Sequence, residues 1–171
     1  MTKIIRTNTE DFQLLARVDS LSFMESHGHS ASPEIVNNYV TDHYNEDTFK
    51  AELGDAPNIY HLIFHNDQPA GYSKIILNAA HPNVSSANAT KLERLYLLKA
   101  FYGLKLGFNL LEFNVKLSKE NRQGGMWLYV WKENLRAIDF YLKNNFEVIG
   151  SHDFKLSETH ANPNHQMFLR F

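Results

Sequence analysis

The chain has 171 residues, a length typical of one compact domain that buries about 70% of its unfolded surface. Hydrophobic residues make up 43% of it, which argues against disorder, and the absence of Cys excludes disulfides, thiolate metal ligands and a Cys nucleophile. With 17 basic against 19 acidic residues and no Lys/Arg cluster, the chain is a poor candidate for binding nucleic acid.

These features predict a single domain over residues 1–171 in a reducing compartment, most simply the cytoplasm. The N-terminus MTKIIRTNTEDF lacks the basic-then-apolar pattern of a signal peptide, and no apolar run approaches the length of about 18 residues that a membrane span needs. We therefore expect no membrane partner. The sequence leaves open whether the chain forms a homodimer.

The first elements are predicted to be a strand, KIIRTN, and then three helices. Thr9 or Asp11 is expected to cap the first helix, because both are good N-cap residues. Pro33 suits the first turn of the second helix, and a third helix is expected from Glu46 to Leu53.

The middle of the chain predicts a β-hairpin. The apolar runs NIYHLIFH and YSKIIL flank the turn-forming cluster NDQPAG. The polar segment NAAHPNVSSANATK follows and is too short to link two domains, so we expect a loop, either beside a functional site or simply a long connection.

The second half alternates strands and helices. The strand KLERLYLL precedes a helix after Gly103, the nearly continuous apolar run GGMWLYVW is typical of a strand buried on both faces, and ENLRAIDFYLKNN is a shorter helix. FEVIGSHDFKL and HQMFLRF are predicted to be the last two strands, around a polar turn. The order predicts a mixed α/β sheet in one layer with helices on its faces.

Nine His residues invite a metal-site interpretation, but their spacing does not support one. His61 and His65 would lie about 13 Å apart along a strand, too far to bind one ion. His27 and His29 have no third ligand at a recognisable spacing. A polar loop is the simpler interpretation, and we expect no metal.

The stretch LYLLKAFYGLKLG, Leu95 to Gly107, passes from a strand through a Gly-containing turn into a helix. Such a junction presents free backbone N–H groups and the positive end of the helix dipole, which suits a pyrophosphate. Many α/β proteins contain the same junction for packing reasons alone. The stretch unaided therefore leaves both interpretations open.

Two longer segments carry a family resemblance. LERLYLLKAFYGLKLGFNLLEF, followed by MWLYVWKENLRAIDFYLKNNFEVIG, resembles the GCN5-related N-acetyltransferase (GNAT) superfamily, whose pyrophosphate loop reads roughly Q/R-x-x-G-x-G/A. SPEIVNNYV, WLYVWKENLRAIDFY and GSHDFKLS are more specifically similar to bacterial spermine/spermidine acetyltransferases of the PaiA type. The resemblance implies an α/β fold with a mostly antiparallel sheet and a splayed parallel strand pair, with acetyl-CoA as co-substrate.

The resemblance also implies which residues hold the cofactor, in an opening between the strands KLERLYLL and GMWLYVW. The pantetheine arm would pair with the backbone of Leu95, Tyr96 and Leu97, beside Asn134 and Ala137. The pyrophosphate would accept hydrogen bonds from the amides of Tyr102, Gly103, Leu104, Lys105, Leu106 and Gly107.

This chain departs from the loop pattern twice, since Tyr102 stands at the Gln/Arg position and Lys105 at the first Gly. A backbone amide donates whatever its side chain is, so Lys105 need only adopt the dihedral angles of the loop, and helical angles are open to any L-residue. Its ammonium either contacts a phosphate oxygen or belongs to the solvated helix face.

The resemblance further implies that Tyr141 is the general acid, that Asn134 contacts the cofactor arm and that Glu93 is the general base, usually acting through water. Each has a structural alternative: Tyr141 as a core aromatic, Asn134 as a helix N-cap and Glu93 as an exposed strand charge. His152 matches a His of the PaiA-type tail, for which we expect a structural hydrogen-bonding role.

The activity implied by the resemblance is acetyl transfer from acetyl-CoA to a primary amine, by direct attack in a ternary complex. A polyamine such as spermidine or spermine is the first acceptor to consider, although Ser157 replaces a Gly of the PaiA-type tail. The alternatives are a protein or peptide amine acetyltransferase, an acetyl-CoA-binding sensor without turnover, and a flavodoxin-like nucleotide binder, which would need a Gly-richer loop. Carboxylates suited to a polyamine occur in the first half of the chain, at Glu25, Glu34, Asp42, Glu46, Asp47, Glu52 and Asp55.

Overall fold

The computed structural model describes residues 1–171, which form seven strands and five helices. The strands are β1 (Thr2–Arg6), β2 (Asn58–His65), β3 (Gln68–Ile76), β4 (Thr90–Leu97), β5 (Gly125–Trp131), β6 (Glu147–Lys155) and β7 (Ala161–Arg170). The helices are α1 (Phe12–His27), α2 (Pro33–His43), α3 (Glu46–Gly54), α4 (Leu106–Glu120) and α5 (Leu135–Lys143). This element order is the one that the sequence predicts. None of the helices combines the length and the apolar character that crossing a bilayer requires.

The strands form one sheet in the order β1-β2-β3-β4-β5-β7-β6. β1 runs antiparallel to β2, and β7 runs antiparallel to both β5 and β6. β4 and β5 are parallel, and their register contains only Thr90 opposite Met126 and Lys91 opposite Trp127. The predicted mixed, mostly antiparallel sheet with one parallel pair is confirmed.

The chain divides into two compact units, each with its own apolar core. The first unit contains Met1–Ile75 and Arg94–Asn114, and the second contains Ile76–Glu93 and Val115–Phe171. A cluster of Ile63, Ala70, Leu106 and Leu110 lies in the first core. A cluster of Val84, Ala89, Trp127 and Phe168 lies in the second core. The expectation of a single domain stays a prediction.

Short polar side chains start the helices. Ser32 caps α2 by accepting a hydrogen bond from the Ile35 N–H at 3.4 Å, with Pro33 in the first turn as predicted. Asp11 is the N-cap residue of α1, one of the two residues predicted for that position, but its side chain makes no cap hydrogen bond to the helix. It accepts instead from the Asn8 N–H at 2.8 Å, and Asn8 caps the 3-10 turn that precedes α1.

The β2–β3 hairpin has a tighter turn than the sequence predicts. Only Asn66 and Asp67 form it, with φ angles of 49° and 60°, the left-handed pair that a two-residue hairpin loop requires. β3 therefore begins at Gln68, and both Pro69 and Gly71 lie inside the strand. The predicted turn was too long because these two residues are turn formers by composition. β7 likewise begins earlier than predicted, at Ala161.

Candidate active site

The second half of β4 is held by packing on both of its faces. Leu95 and Leu97 pack against the first core, on the side opposite to Tyr96, as strand alternation requires. The Tyr96 ring stacks on Tyr72, with ring centres 5.9 Å apart, and meets the His27 ring edge-on at 5.9 Å. The backbone of residues 95–97 is thus fixed by side chains above and below.

One backbone edge of β4 lacks a partner strand along most of its length. The register with β5 ends at Lys91, while on the other edge the Leu98 N–H donates to the Ala70 carbonyl oxygen at 2.9 Å. An unpaired strand edge presents N–H and C=O groups that can bind another extended chain. Residues 95–97, predicted to bind the cofactor arm, lie in this part of β4.

The turn after β4 leaves a run of backbone amides without partners. The Tyr102 N–H donates to the Lys99 carbonyl oxygen at 3.1 Å, so this amide, one of those predicted to hold the pyrophosphate, is already bonded. No hydrogen bond within the protein is found for the amides from Gly103 to Gly107. The free donors therefore begin one residue later than the sequence predicts.

Lys105 adopts a left-handed backbone conformation, with φ 58°, and Gly103 has φ 83°. The expectation of right-handed helical angles at Lys105 was wrong. The Lys105 carbonyl oxygen accepts from the Asn109 N–H at 3.0 Å, which closes the first turn of α4. A left-handed L-residue costs about 1–2 kcal/mol, so Lys105 keeps, at some strain, the backbone shape that Gly adopts readily.

The free amides meet the positive end of a long helix. α4 spans 15 residues, and its first residue, Leu106, is buried in the first core, which fixes the start of the helix. Gly103, Leu104 and Lys105 are exposed just before it. The helix dipole and the unpaired N–H groups together favour an anion at this position.

A carboxylate from α1 supports the same turn. Glu25 accepts a hydrogen bond from the Lys99 N–H at 2.7 Å, and Lys99 is the residue whose carbonyl oxygen binds the Tyr102 amide. Nothing in the sequence around Glu25 indicates this contact, because 74 residues separate its two partners.

Arg94 anchors β4 through a buried ionic cluster that the sequence does not predict. Its guanidinium lies 3.4 Å from the Asp19 carboxylate of α1 and 3.3 Å from the Glu52 carboxylate of α3. Glu52 also binds the Lys74 ammonium at 2.8 Å, and the Tyr72 hydroxyl donates to Asp19. The cluster ties β4 to both helices.

Burial sets the protonation of this cluster. Asp19 is fully buried, and loss of hydration raises its pKa from 3.8 to about 6, with the Arg94 charge opposing the rise. Burial alone would raise the pKa of Glu52. The positive charge of Arg94 and the hydrogen bonds from Lys74 and Tyr60 together outweigh this effect, so the pKa lies below its usual range.

In the second unit, Glu93 belongs to a group of four residues, Lys91, Glu93, Trp127 and Tyr129, which we call the Tyr129 group. The Lys91 ammonium lies 3.7 Å from the Glu93 carboxylate, 5.3 Å from the centre of the Trp127 ring and 5.9 Å from that of Tyr129. The side chains of Lys91 and Glu93 are 27% and 26% exposed. Glu93 is thus accessible but already attracts a cation.

The hydroxyl of Tyr129 is bound by a loop residue. The oxygen of Tyr129 lies 3.1 Å from Nε2 of His81, whose Nδ1 accepts from the Asn83 N–H at 3.2 Å and lies 3.0 Å from Nε2 of Gln166. Sequence reasoning missed both Tyr129 and His81. The only signal in the sequence was the polar loop NAAHPNVSSANATK, which contains His81. Its length and composition suited either a loop beside a functional site or a plain connection.

Two of the predicted site residues belong to α5: Asn134 is its N-cap and Tyr141 lies within it. The Asn134 side chain accepts from the Ala137 N–H at 3.2 Å, which confirms the N-cap interpretation. Tyr141 is buried, with its ring centre 5.2 Å from that of Phe140 and 5.3 Å from that of Phe146. Its hydroxyl makes no hydrogen bond with the protein, and burial raises its pKa, so the hydroxyl stays protonated.

The structural hydrogen bond that we expect of the His152 side chain is not found. His152 is exposed, and its ring stacks on Tyr129, with ring centres 4.4 Å apart and planes 20° apart. For metals, no group of three or more His, Asp or Glu side chains is placed to hold an ion.

Comparison with known proteins identifies the family. Residues 22–146 match the model of the acetyltransferase (GNAT) family. An uncharacterised N-acetyltransferase of Lactobacillus delbrueckii subsp. lactis is 26% identical over 156 residues, which cover 91% of this chain and 90% of the relative.

Two solved structures share the fold. The PaiA N-acetyltransferase of Thermoplasma acidophilum, solved with coenzyme A, superimposes with a TM-score of 0.80 at 20% identity, over 100% of this chain and 99% of that one. The ribosomal-protein-S18-alanine N-acetyltransferase of Escherichia coli superimposes with a TM-score of 0.71 at 16% identity, over 99% of this chain and 94% of that one. The fold, the free amides before α4 and the family match agree: this chain belongs to the GNAT acetyltransferase family and is an N-acetyltransferase with acetyl-CoA as its co-substrate.

Proposed function

We propose that the chain transfers the acetyl group of acetyl-CoA directly to a primary amine, with a polyamine as the first acceptor to test. The observation that carries the proposal is the run of unpartnered amides from Gly103 to Gly107 at the start of α4, with Lys105 in a left-handed conformation. This arrangement suits the pyrophosphate of acetyl-CoA.

The unpaired edge of β4 supports a place for the rest of the cofactor. The amide groups of a pantetheine arm can pair with the backbone of residues 95–97, as an added strand would. Lys105 is exposed and lies within the run of free amides, so its ammonium can contact a phosphate oxygen. We assign Asn134 and Ala137 to the cofactor arm from the family resemblance, in addition to their N-cap hydrogen bond.

Two side chains are proposed to handle the protons. The amine nitrogen attacks the thioester carbonyl carbon, the N–C bond forms and the C–S bond then breaks, leaving a thiolate. Glu93 takes the proton from the amine nitrogen, directly or through water, and Tyr141 gives its proton to the thiolate. The protonated, unbonded hydroxyl of Tyr141 supports this role, because no protein group competes for its proton.

The choice of a polyamine rests on the sequence resemblance to PaiA-type spermine/spermidine acetyltransferases and not on free charges in the first unit. Of the carboxylates there, Glu52 binds Arg94 and Lys74, and Glu25 binds the Lys99 amide. Both are therefore engaged within the protein. A peptide amine belongs in the same test, because the Escherichia coli neighbour is named for an alanine of ribosomal protein S18.

The test measures release of free CoA from acetyl-CoA with a panel of spermidine, spermine, single amino acids and peptides with a free N-terminus. We expect release with at least one primary amine, fastest with spermidine. Fastest release with a peptide would assign the chain to peptide amines. Binding of acetyl-CoA without release for any acceptor would instead support the sensor interpretation and overturn the proposed transfer.

A further inference from the structure

The tautomer of His81 determines where the proton of Tyr129 points. Nδ1 of His81 receives the backbone N–H of Asn83 at 3.2 Å, and a backbone N–H can only donate. A neutral His81 therefore carries its proton on Nε2, the atom 3.1 Å from the Tyr129 oxygen. His81 donates, the Tyr129 oxygen accepts, and the hydroxyl proton of Tyr129 is left to donate elsewhere.

Neighbouring amides hold this tautomer in place. Nε2 of Gln166 lies 3.0 Å from Nδ1 of His81, and the Asn83 side-chain amide donates to Oε1 of Gln166 at 2.9 Å. Gln166 thus presents its NH₂ group to the ring nitrogen that lacks a proton. Two donors at Nδ1 make the Nδ1–H tautomer unfavourable, so the orientation of Tyr129 is preset by the fold.

The hydroxyl of Tyr129 is a neutral donor with no acceptor in the protein. His81 is its single hydrogen-bond partner, and partial burial raises its pKa, so it stays protonated at neutral pH. Its ring is half-buried, with His152 stacked on it. A preset donor without an acceptor is ready to bind an oxygen of a ligand.

Tyr129 lies level with Glu93 along the sheet. Lys91 and Trp127 are the last paired residues of β4 and β5, and Glu93 and Tyr129 each follow two residues later on parallel strands. Residues two apart on a strand share a face, so all four side chains of the Tyr129 group lie on one face. The Lys91 ammonium, close to both Glu93 and Tyr129, agrees with this placement.

The proposed general base connects this group to the reaction. Glu93 is proposed to take the proton of the attacking amine, and that amine bonds to the thioester carbonyl carbon, so the reacting carbonyl must lie beside Glu93. This step depends on the proposed function. It brings the reacting carbonyl towards the level of the Tyr129 group.

We propose that Tyr129, held by His81, is a catalytic hydrogen-bond donor that binds the thioester carbonyl oxygen while the amine attacks. As the N–C bond forms, the electron pair of the C=O bond moves to oxygen, and the Tyr129 hydroxyl donates to that oxyanion without losing its proton. The pair returns when the C–S bond breaks. The nearby Lys91 ammonium adds a favourable charge, and His81 is a positioning residue.

The experiment is a double-mutant cycle on CoA release with the best acceptor, using Tyr129→Phe, His81→Asn and the double variant. We expect Tyr129→Phe to lower kcat about 100-fold, the effect of removing one oxyanion donor, with the dissociation constant of acetyl-CoA within about twofold. His81→Asn should lower kcat less. Because His81 acts through Tyr129, the double variant should be no slower than Tyr129→Phe.

Other outcomes overturn the proposal. If Tyr129→Phe keeps half or more of the wild-type kcat, or if the two losses multiply in the double variant, Tyr129 is not the donor that His81 orients. Tyr39→Phe, which removes a tyrosine hydroxyl in the first unit, is the matched control and should leave kcat unchanged. If the wild type turns over and Tyr129→Phe has an unchanged kcat, only this inference is rejected. If the wild type itself shows no turnover, the proposed function is rejected as well.

A second measurement does not depend on activity. Nitrogen-15 NMR of the His side chains distinguishes the two tautomers, and we expect the Nε2–H form for His81, with a changed Nε2 signal in Tyr129→Phe. An Nδ1–H signal for His81 would mean that the Tyr129 proton is donated to the ring. That result would also overturn the proposal.

Discussion

Gly71 of β3 lies so close to β4 that a Cβ added to it would be 2.2 Å from the Tyr96 carbonyl oxygen and 2.9 Å from the Leu97 Cα. Both contacts are with backbone atoms, which cannot swing aside as a flexible side chain can. The contact residues belong to the stretch of β4 that we assign to the cofactor arm. The position of this backbone thus depends on the missing side chain of Gly71.

Gly71→Ala is predicted to displace β4 and weaken cofactor binding. The clash should cost about 1–3 kcal/mol of unfolding free energy, as overpacking does elsewhere, and should weaken acetyl-CoA binding because residues 95–97 must move. Urea unfolding and calorimetric titration measure the two effects. Gly54→Ala is the matched control, since a Cβ there meets nothing within 4 Å. Equal acetyl-CoA affinity in the Gly71 and Gly54 variants would contradict the assignment of residues 95–97.

Lys105→Gly and Lys105→Ala separate the backbone strain from the charge at this position. Both substitutions remove the ammonium, but only Gly relieves the strain of the left-handed backbone. The greater freedom of Gly in the unfolded chain offsets part of the stability gained in this way. We expect Lys105→Gly to be more stable than Lys105→Ala by about 0.5–1 kcal/mol in urea unfolding.

The same two variants test whether the ammonium contacts the cofactor. Both should weaken acetyl-CoA binding about two- to fivefold and make its salt dependence shallower, because an exposed charge pair contributes little. If Lys105→Gly leaves the dissociation constant and its salt dependence as in the wild type, the side chain is only solvated and the amides hold the pyrophosphate alone.

Tyr141→Phe should slow acetyl transfer without affecting stability or cofactor binding. The hydroxyl makes no hydrogen bond with the protein, so its loss should change the unfolding free energy by less than about 0.5 kcal/mol. Losing a general acid should reduce kcat about 100-fold or more. Stopped-flow CoA release and thermal unfolding measure the two. A large stability loss with unchanged kcat would instead make Tyr141 a core aromatic only.

Asp19→Asn should change how stability depends on pH. The pKa of Asp19 is raised from 3.8 to about 6 in the folded state, so the folded protein binds more protons between those values. The contribution of Asp19 to stability is therefore full below about pH 4 and is lost as the pH rises through about 6, a change of about 3 kcal/mol. Asn does not titrate, so the stability of the wild type relative to Asp19→Asn should fall by about this amount from pH 4 to 7.

The wild-type profile alone does not reveal this contribution. Burial, with a smaller effect of His29, lowers the pKa of His27 from 6.5 to about 4, so the folded protein binds fewer protons than the unfolded chain in that range. His27 thus adds stability as the pH rises through the same window. The unfolding free energies of the wild type and of Asp19→Asn are therefore measured in urea at each pH, and the His27 contribution cancels in their difference. If the two free energies changed with pH in parallel, the raised pKa of Asp19 would be contradicted.

Local patterns in the sequence determined the order of the strands and helices. The apolar run NIYHLIFH coincides with β2, Pro33 opens α2 and Asn134 caps α5, because each signal involves residues within about one helical turn or one strand. The junction of strand, turn and helix in LYLLKAFYGLKLG was likewise indicated by adjacent residues. Propensity failed at the β2–β3 turn, where pairing of the strands overrides the preference of Pro69 and Gly71 for turns.

Only the tertiary structure decided which distant side chains meet. Arg94 and Asp19 are 75 residues apart, and His81 and Tyr129 are 48 apart, so their contacts depend on how strands and helices pack and not on any local pattern. The sign of φ at Lys105 was likewise set by the loop that joins β4 to α4, against the preference of an L-residue. The sequence by itself thus determined the order of the elements, because their signals are local, while packing determined the buried ion pair and the hydrogen bond between His81 and Tyr129.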